Sequence, residues 1–279
     1  MPNLQIGYVT SDPVAVNSSK TVIDPSARED TTFLPWVEHF KANLQRQQIH
    51  EAGIEWDVAP EMERSIAAAF VHSLQRFELG ESGDGRGLLS KAAKHGDPIY
   101  VEALQLLVVE EQKHSVLFAR GLERLDGQRI MAHWSDSVFV FLRRALGLRT
   151  ELGLFLVAES VSIGYFTALA QNAPDPVLRG IGQRVCTDEQ DHVRFQTDRL
   201  RQGFSTTPKI VRTVAHALLT VVALGASTVV ALDHRAALRA CGLKPTTYWR
   251  HAMVSFQRAA RAVFDHSTPE FLGPIPKAY

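Results

Sequence analysis

The same arrangement of glutamate and histidine residues occurs twice in this chain, and this internal repeat limits its fold more than any other feature. Each copy consists of a glutamate, a second glutamate 30 positions later, and a histidine three positions after that. The two sets are Glu81, Glu111, His114 and Glu159, Glu189, His192. Each residue of the first set lies 78 positions before its counterpart. Self-similarity at a fixed offset indicates that one structural unit is present twice.

The unit that repeats is predicted to be a helical hairpin. Apolar residues recur at helical spacing around both sets, and no window shows the alternation of a strand. Asp97-Pro98 and Asp175-Pro176 are typical of a helix N-cap followed by the first helical position. We therefore predict an all-α protein with four long central helices and further helices at both ends. The predicted helices span about 33–50, 61–82, 100–122, 136–146, 148–170, 176–201, 208–232 and 246–264.

The spacing of the repeated residues is suited to binding metal ions. Two residues three positions apart on a helix differ by about 300° and 4.5 Å, so Glu111 and His114 share a face. Glu159 lies in an apolar run, where a carboxylate is costly to bury unless it is paired or bound to a cation. Four carboxylates and two imidazoles suit two divalent ions, and oxygen-rich ligation favours iron or manganese over zinc.

This pattern resembles that of the ferritin-like di-iron carboxylate superfamily, over about residues 61–204. The resemblance implies a ferritin-like four-helix bundle that holds two iron ions, with manganese as the alternative, and uses O₂ as co-substrate. It also implies a role for each candidate ligand: Glu81 and Glu159 terminal or bridging, Glu111 and Glu189 bridging, and His114 and His192 terminal.

Several residues leave alternatives open. Glu78 shares a helix face with Glu81, and only the repeat favours Glu81 as the first ligand. Lys113, Arg184 and Arg194 offer a different role for the six residues, as buried ion pairs. Glu110 and Asp188 each precede a repeated glutamate and are rotated about 100° from it, which predicts a supporting or solvated role. The aromatic residues near the candidate ligands fit either core packing or an apolar substrate cavity; they are Phe77, Phe118, Phe155 and Phe166.

The expected function is oxidation of a small, partly apolar organic substrate by hydroxylation, desaturation, cleavage or N-oxygenation. Phe118 stands where ribonucleotide reductase small subunits carry a radical tyrosine, which argues against that role. Val185 stands where arylamine N-oxygenases carry an extra metal-binding histidine, which disfavours that specific activity. Acyl-carrier desaturases, aldehyde-deformylating oxygenases and tRNA hydroxylases share the six-residue pattern. The alternatives without an organic substrate are iron binding or detoxification and a dimanganese catalase. No Gly-rich dinucleotide motif follows a strand, so an external electron donor is expected.

The remaining expectations concern organisation and environment. We expect a lead-in and accessory helix over 1–60, the metal-binding bundle over 61–204, and accessory helices packed on the same domain over 205–279. Lys and Arg together number 30, as do Asp and Glu, so the net charge of zero gives no support for nucleic-acid binding. The apolar stretch 215–232 is expected to be a buried helix rather than a membrane span. We also expect a cytoplasmic protein, with a homodimer formed through the end helices.

Overall fold

The computed structural model describes residues 31–134, 141, 147–265 and 271–274, and within these ranges every regular element is helical. A 3₁₀ turn, Thr31–Phe33, precedes the first helix. The α-helices are α1 Leu34–Ala52, α2 Arg64–Glu81, α3 Arg86–Ala93, α4 Pro98–Arg124, α5 Leu148–Asn172, α6 Pro176–Phe204, α7 Lys209–Asp233, α8 Arg235–Ala240 and α9 Pro245–Phe264. The predicted lead-in over 1–27 lies outside the described residues, as does the predicted helix 136–146 apart from Phe141.

Helix boundaries follow local signals in the sequence. Asp97 caps α4 by accepting a hydrogen bond from the backbone N–H of Tyr100 at 2.9 Å. Asp175 caps α6 in the same way, through the N–H of Leu178 at 3.0 Å. These bonds satisfy N–H groups that the first helical turn cannot pair internally. Gly85 separates α2 from α3 with a φ of +64°, and a side chain there would lie 2.7 Å from Val108.

The central helices form two hairpins that meet along one pair of helices. Helix α2 packs against α4, α5 packs against α6, and α4 contacts α6. Helix α1 lies across α4 and α6, while α7 and α9 pack against α5. The two hairpins correspond to the two copies of the repeat, since each contains one glutamate on its first helix and a Glu-x-x-His on its second.

Two apolar clusters form the core, and on α4 and α6 the repeated residues lie between them along the chain. On α4, the cluster that contains Trp36 and Phe195 extends to Leu107, and the other begins at Leu117. Glu111 and His114 fall in that interval. On α6 the order of the clusters is reversed, with one ending at Val185 and the cluster that contains Trp36 beginning at Phe195, and Glu189 and His192 fall between them. The polar residues of α4 and α6 therefore lie between two apolar regions, although Glu81 and Glu111 remain partly exposed.

Helix α7 differs from its expected environment. Only four of its residues are buried, namely Leu219, Ala223, Ser227 and Ala231. The expectation that 215–232 is a buried helix is therefore wrong, because its core contact is a narrow stripe of mostly small residues. By length and composition, α5 and α7 could each cross a membrane; 67% of the apolar window of α5 is buried in the fold, against 17% for α7.

Candidate metal centre

The structure brings all six repeated residues together in two overlapping groups. The first is Glu81, Glu111, His114 and Glu189, and the second is Glu111, Glu159 and His192. Within each group the ligand atoms lie within 4.8 Å of one another. Glu111 belongs to both groups, as expected of a residue between two ions. Glu189 joins only the first group, although the resemblance implies a bridging role for it as well.

Both histidines point Nδ1 at the carboxylates. Nδ1 of His192 lies 2.8 Å from Glu111 Oε1. Nδ1 of His114 lies 3.6 Å from Glu111 Oε2 and 3.6 Å from Glu189 Oε1. Because both rings are fully buried, these orientations are held by packing. Nδ1 is therefore the nitrogen that each ring presents to the group.

Glu78, the alternative to Glu81, is turned to a different set of partners. Its carboxylate accepts a hydrogen bond from Ser115 Oγ at 3.2 Å and lies 3.4 Å from the guanidinium of Arg129. The structure thus places Glu81, and not Glu78, with the other five residues. Glu81 is the last residue of α2, so it reaches the group from a helix end and retains partial exposure.

Each histidine is supported by a carboxylate from the opposite hairpin. The Nε2–H of His114 donates to Asp188 Oδ2 at 3.0 Å. The Nε2–H of His192 donates to Glu110 Oε2, also at 3.0 Å. A carboxylate on the far nitrogen fixes the tautomer and ring orientation and makes the near nitrogen a better ligand. The crossing follows from the repeat, because Glu110 and Asp188 are themselves 78 positions apart.

Further polar residues hold these supporting carboxylates. Glu110 accepts hydrogen bonds from Asn43 Nδ2 at 3.0 Å and Gln47 Nε2 at 2.6 Å, both on α1. Asp188 pairs with Arg184 one turn earlier on α6. These α1 residues were missed by the sequence analysis, since they belong to neither copy of the repeat and carry no spacing signal. The amide of Gln196, also missed, donates to Glu159.

The cations that offered an ion-pair alternative are occupied elsewhere. Arg184 contacts Asp188 and Glu51, and Lys113 donates to Gln47 at 2.7 Å. Arg194 donates to the backbone carbonyls of Leu272 and Gly273. The charges of the six clustered residues are therefore not balanced by these three side chains.

The pKa values show how strongly the group lacks positive charge. Burial, followed by repulsion from Glu111, raises the pKa of Glu81, Glu159 and Glu189 well above the ordinary value. Burial also acts to raise the pKa of Glu111, but attraction to His192 and nearby hydrogen bonds lower it well below that value. Burial likewise opposes the charged form of His192, yet Glu111 and Glu110 raise its pKa well above the usual range. The nearby positive charge is therefore too small to favour the ionised form of all four carboxylates.

Several buried ligand atoms also lack hydrogen-bond partners. They include Oε2 of Glu159, Oε2 of Glu189 and Nδ1 of His114. Buried polar atoms without partners are uncommon because each one costs about 1–3 kcal/mol. Two divalent cations would balance the four clustered carboxylates and engage these atoms, so the donor set fits a pair of such ions.

The surrounding aromatic residues form core packing. The ring of Phe77 lies 5.8 Å from Phe118, 4.8 Å from Tyr165 and 4.7 Å from Phe166. Two surface cavities lie elsewhere: one of about 680 Å³ is lined by residues 51–58 and Arg120, and one of about 300 Å³ lies between α7 and α9. Neither cavity is lined by any of the six clustered residues.

Comparisons with known proteins give no independent assignment. No protein-family model matches the chain, and neither a curated protein nor a solved structure matches it. What is established is a helical protein with a buried carboxylate and histidine cluster that can bind metal.

Proposed function

We propose that this protein is a ferritin-like, non-heme di-iron enzyme that uses O₂ to oxidise a small, partly apolar organic substrate. The observation that carries the proposal is the pair of overlapping ligand groups with Glu111 in common. A carboxylate that belongs to two groups is the arrangement needed to hold two ions a few ångströms apart. The family assignment and the substrate class rest on the resemblance of the repeated motif.

The donor set favours iron, with manganese as the alternative. Four carboxylates with one imidazole per ion form a hard, oxygen-rich environment, whereas structural zinc sites prefer cysteine and histidine. Bound Fe(II) ions would supply the electrons needed to reduce O₂, a reaction that protein side chains alone do not perform.

The chain's own residues have three roles in this proposal. The six clustered side chains hold the ions, with Glu111 between them. Asp188 and Glu110 orient His114 and His192 through their Nε2–H groups. The two apolar clusters that flank the polar residues restrict the access of water, which limits side reactions of reduced oxygen.

The decisive test is metal content after anaerobic loading with Fe(II). We expect close to two irons per wild-type chain and a clear fall in Glu159→Ala. Glu78→Ala is the matched control, since it removes a buried carboxylate from outside both groups and should leave the iron content unchanged. Circular dichroism of all three proteins checks that the helices remain folded.

A second measurement follows O₂ consumption by the loaded protein with candidate substrates and an electron donor. Substrate-dependent O₂ consumption supports the proposed oxidation. Iron turnover that builds a mineral core without substrate would instead indicate storage, and hydrogen peroxide breakdown by the manganese-loaded form would indicate a catalase. Little iron or manganese in the wild type would refute a metal centre.

A further inference from the structure

Helix α7 presents an uncovered stripe of apolar and small residues along most of its length. All seven positions of the stripe are exposed, including Val221 at 65%. They are Val211, Val214, Leu218, Val221, Gly225, Thr228 and Leu232. Single exposed apolar residues are ordinary, but a contiguous patch of this kind marks a surface that binds something.

The spacing of the stripe is that of a helix-pairing seam. Successive positions differ alternately by three and four residues over three heptads. This period keeps one face of α7 directed at a partner helix along its whole length. From 211 to 232 the seam is about 32 Å long at 1.5 Å per residue. Gly225 also allows close approach, because a Cβ there would meet nothing within 4 Å, whereas Thr228 borders α9 and accepts a hydrogen bond from Trp249 at 3.1 Å.

The exposed area approaches what a specific dimer requires. The large apolar residues exposed on α7 are Ile210, Val211, Val214, Leu218, Val221, Leu224 and Leu232. Their exposed fractions correspond to roughly 600 Å² per copy, and a standard interface buries about 800 Å² per partner. The small residues of the seam lie beside them and add to this area.

The distribution of charge favours one orientation. No Asp, Glu, Lys or Arg occurs between Arg212 and Asp233, so the seam itself carries no fixed charge. Lys209 and Arg212 lie at the N-terminal end of α7, whereas Asp233 at its C-terminal end is already paired with His72 at 2.9 Å and Arg76 at 3.3 Å. A parallel pair would bring the cationic ends together, together with two positive helix-dipole ends. An antiparallel pair instead places each cationic end beside the negative end of the partner's helix dipole, and this favours the antiparallel orientation.

We propose that the exposed seam of α7 is a homodimer surface, on which α7 of a second copy packs antiparallel. A membrane-spanning role for α7 is disfavoured by its contacts with α9, where Trp249 donates to Thr228 Oγ1 at 3.1 Å and Gln257 donates to Thr220 Oγ1 at 3.3 Å. The helix would have to give up these bonds and its packing on α5 to enter a bilayer. The dimer is independent of the metal centre, since none of the six clustered residues lies on α7.

The first test is sedimentation equilibrium of the full chain over a range of concentrations. We expect a wild-type dimer and at least ~100-fold weaker association for Val221→Glu, because a central glutamate would be buried against its own copy. Val116→Glu is the matched control: it introduces the same change at a 57% exposed position on α4 and should leave the dimer intact.

Orientation is tested by oxidative crosslinking. In an antiparallel pair the two copies of residue 221 meet near the dyad, while the two copies of residue 211 lie about 30 Å apart. Val221→Cys should therefore crosslink readily and Val211→Cys should not, with the wild type and its native cysteines as baseline. This measurement also decides the matter if Val221→Glu fails to fold.

Three results would overturn the proposal. They are a wild type that remains monomeric at all concentrations, a dimer that survives Val221→Glu, and equal crosslinking at residues 211 and 221. A monomer that binds vesicles of anionic phospholipid, and loses that binding in Val221→Glu, would identify the surface as a membrane contact instead.

Discussion

The crossed support of the two histidines leads to a selective prediction about metal affinity. Asp188 accepts the Nε2–H of His114, and Glu110 accepts the Nε2–H of His192, each at 3.0 Å. Asp188→Asn should weaken the binding of an ion to the group that contains His114. Glu110→Gln should weaken the binding of an ion to the group that contains His192. Each substitution lies on the hairpin opposite to the histidine that it affects.

The magnitude follows from what each substitution removes. A hydrogen bond to a charged group contributes about 1.5–3 kcal/mol, and the amide keeps an acceptor oxygen but loses the charge. Supporting residues of this kind typically change metal affinity by about 10–100-fold. We expect the lower part of that range, about 10–30-fold for the affected ion, because the hydrogen bond itself persists in weaker form.

The assay is anaerobic competition of Fe(II) or Mn(II) against a chelator, analysed for two binding steps per chain. One step should weaken in each variant while the other stays within about threefold, a change far below that caused by losing a supporting group. Glu51→Gln is the control, since Glu51 contacts Arg184 at 3.6 Å without touching either histidine. Equal weakening of both steps in both variants, or no change in either, would refute the crossed support.

Three further predictions concern stability. Removing metal with a chelator should lower the free energy of unfolding by about 2.7 kcal/mol for each ion present at 100 times its Kd, and an unchanged melting temperature would contradict occupancy in solution. Gly182→Ala should destabilise the protein by about 1–3 kcal/mol, because its Cβ would lie 2.6 Å from the backbone N of Ala170. The Cβ of Gly80→Ala would meet nothing within 4 Å, so this variant should stabilise the helix by up to about 1 kcal/mol. Denaturant unfolding of the two variants and the wild type measures both changes. Burial lowers the pKa of His234 to about 4, so its neutral form contributes stability above pH 6.5 that is lost as the pH falls towards 4. His234→Gln should therefore flatten the pH dependence of the free energy of unfolding between pH 4 and 6.5. An unchanged slope in the variant would contradict this prediction.

The elements of the fold were predictable where local signals are strong. Apolar periodicity and the caps at Asp97 and Asp175 predicted α4 and α6 to within a few residues at each end. The choice between Glu78 and Glu81 as the first ligand was harder. Glycines follow both residues and lower the helix propensity there, so the helix face of each residue could not be extrapolated from the preceding turns. Only the constant offset of 78 favoured Glu81, and it did so because the repeat reflects three-dimensional symmetry rather than local propensity.

The environment of α7 and the contribution of α1 were not predictable from the same signals. Composition cannot distinguish a helix buried in a core from one whose apolar face is exposed, since both are apolar. Asn43 and Gln47 support Glu110 from a helix outside the repeat. Polar residues at ordinary helical positions carry no mark of what they will contact once distant segments pack together.

The repeat makes the two halves of the centre similar, but the structure makes them unequal. The group around His114 contains three carboxylates, and the group around His192 contains two. The additional carboxylate would contact a bound ion directly, whereas the opposing charge of Arg184 lies further away, against Asp188. Because Coulomb energy falls with distance, the direct ligand should dominate. The group around His114 should therefore bind the first ion more tightly.

The weaker group, with fewer protein ligands, keeps coordination positions open for an external molecule, as catalytic metal sites do. Glu81→Ala should therefore raise the Kd of the first binding step, and Glu159→Ala should raise that of the second. Cobalt(II) can replace iron as a spectroscopic probe in this test. In the cobalt(II)-loaded protein, a small anion such as azide should change the visible absorption spectrum only after the second ion has bound. If azide already changes the spectrum when one ion is bound, or if Glu159→Ala raises only the Kd of the first metal-binding step, the reasoning is refuted. The order of filling and the location of the open position would then be reversed.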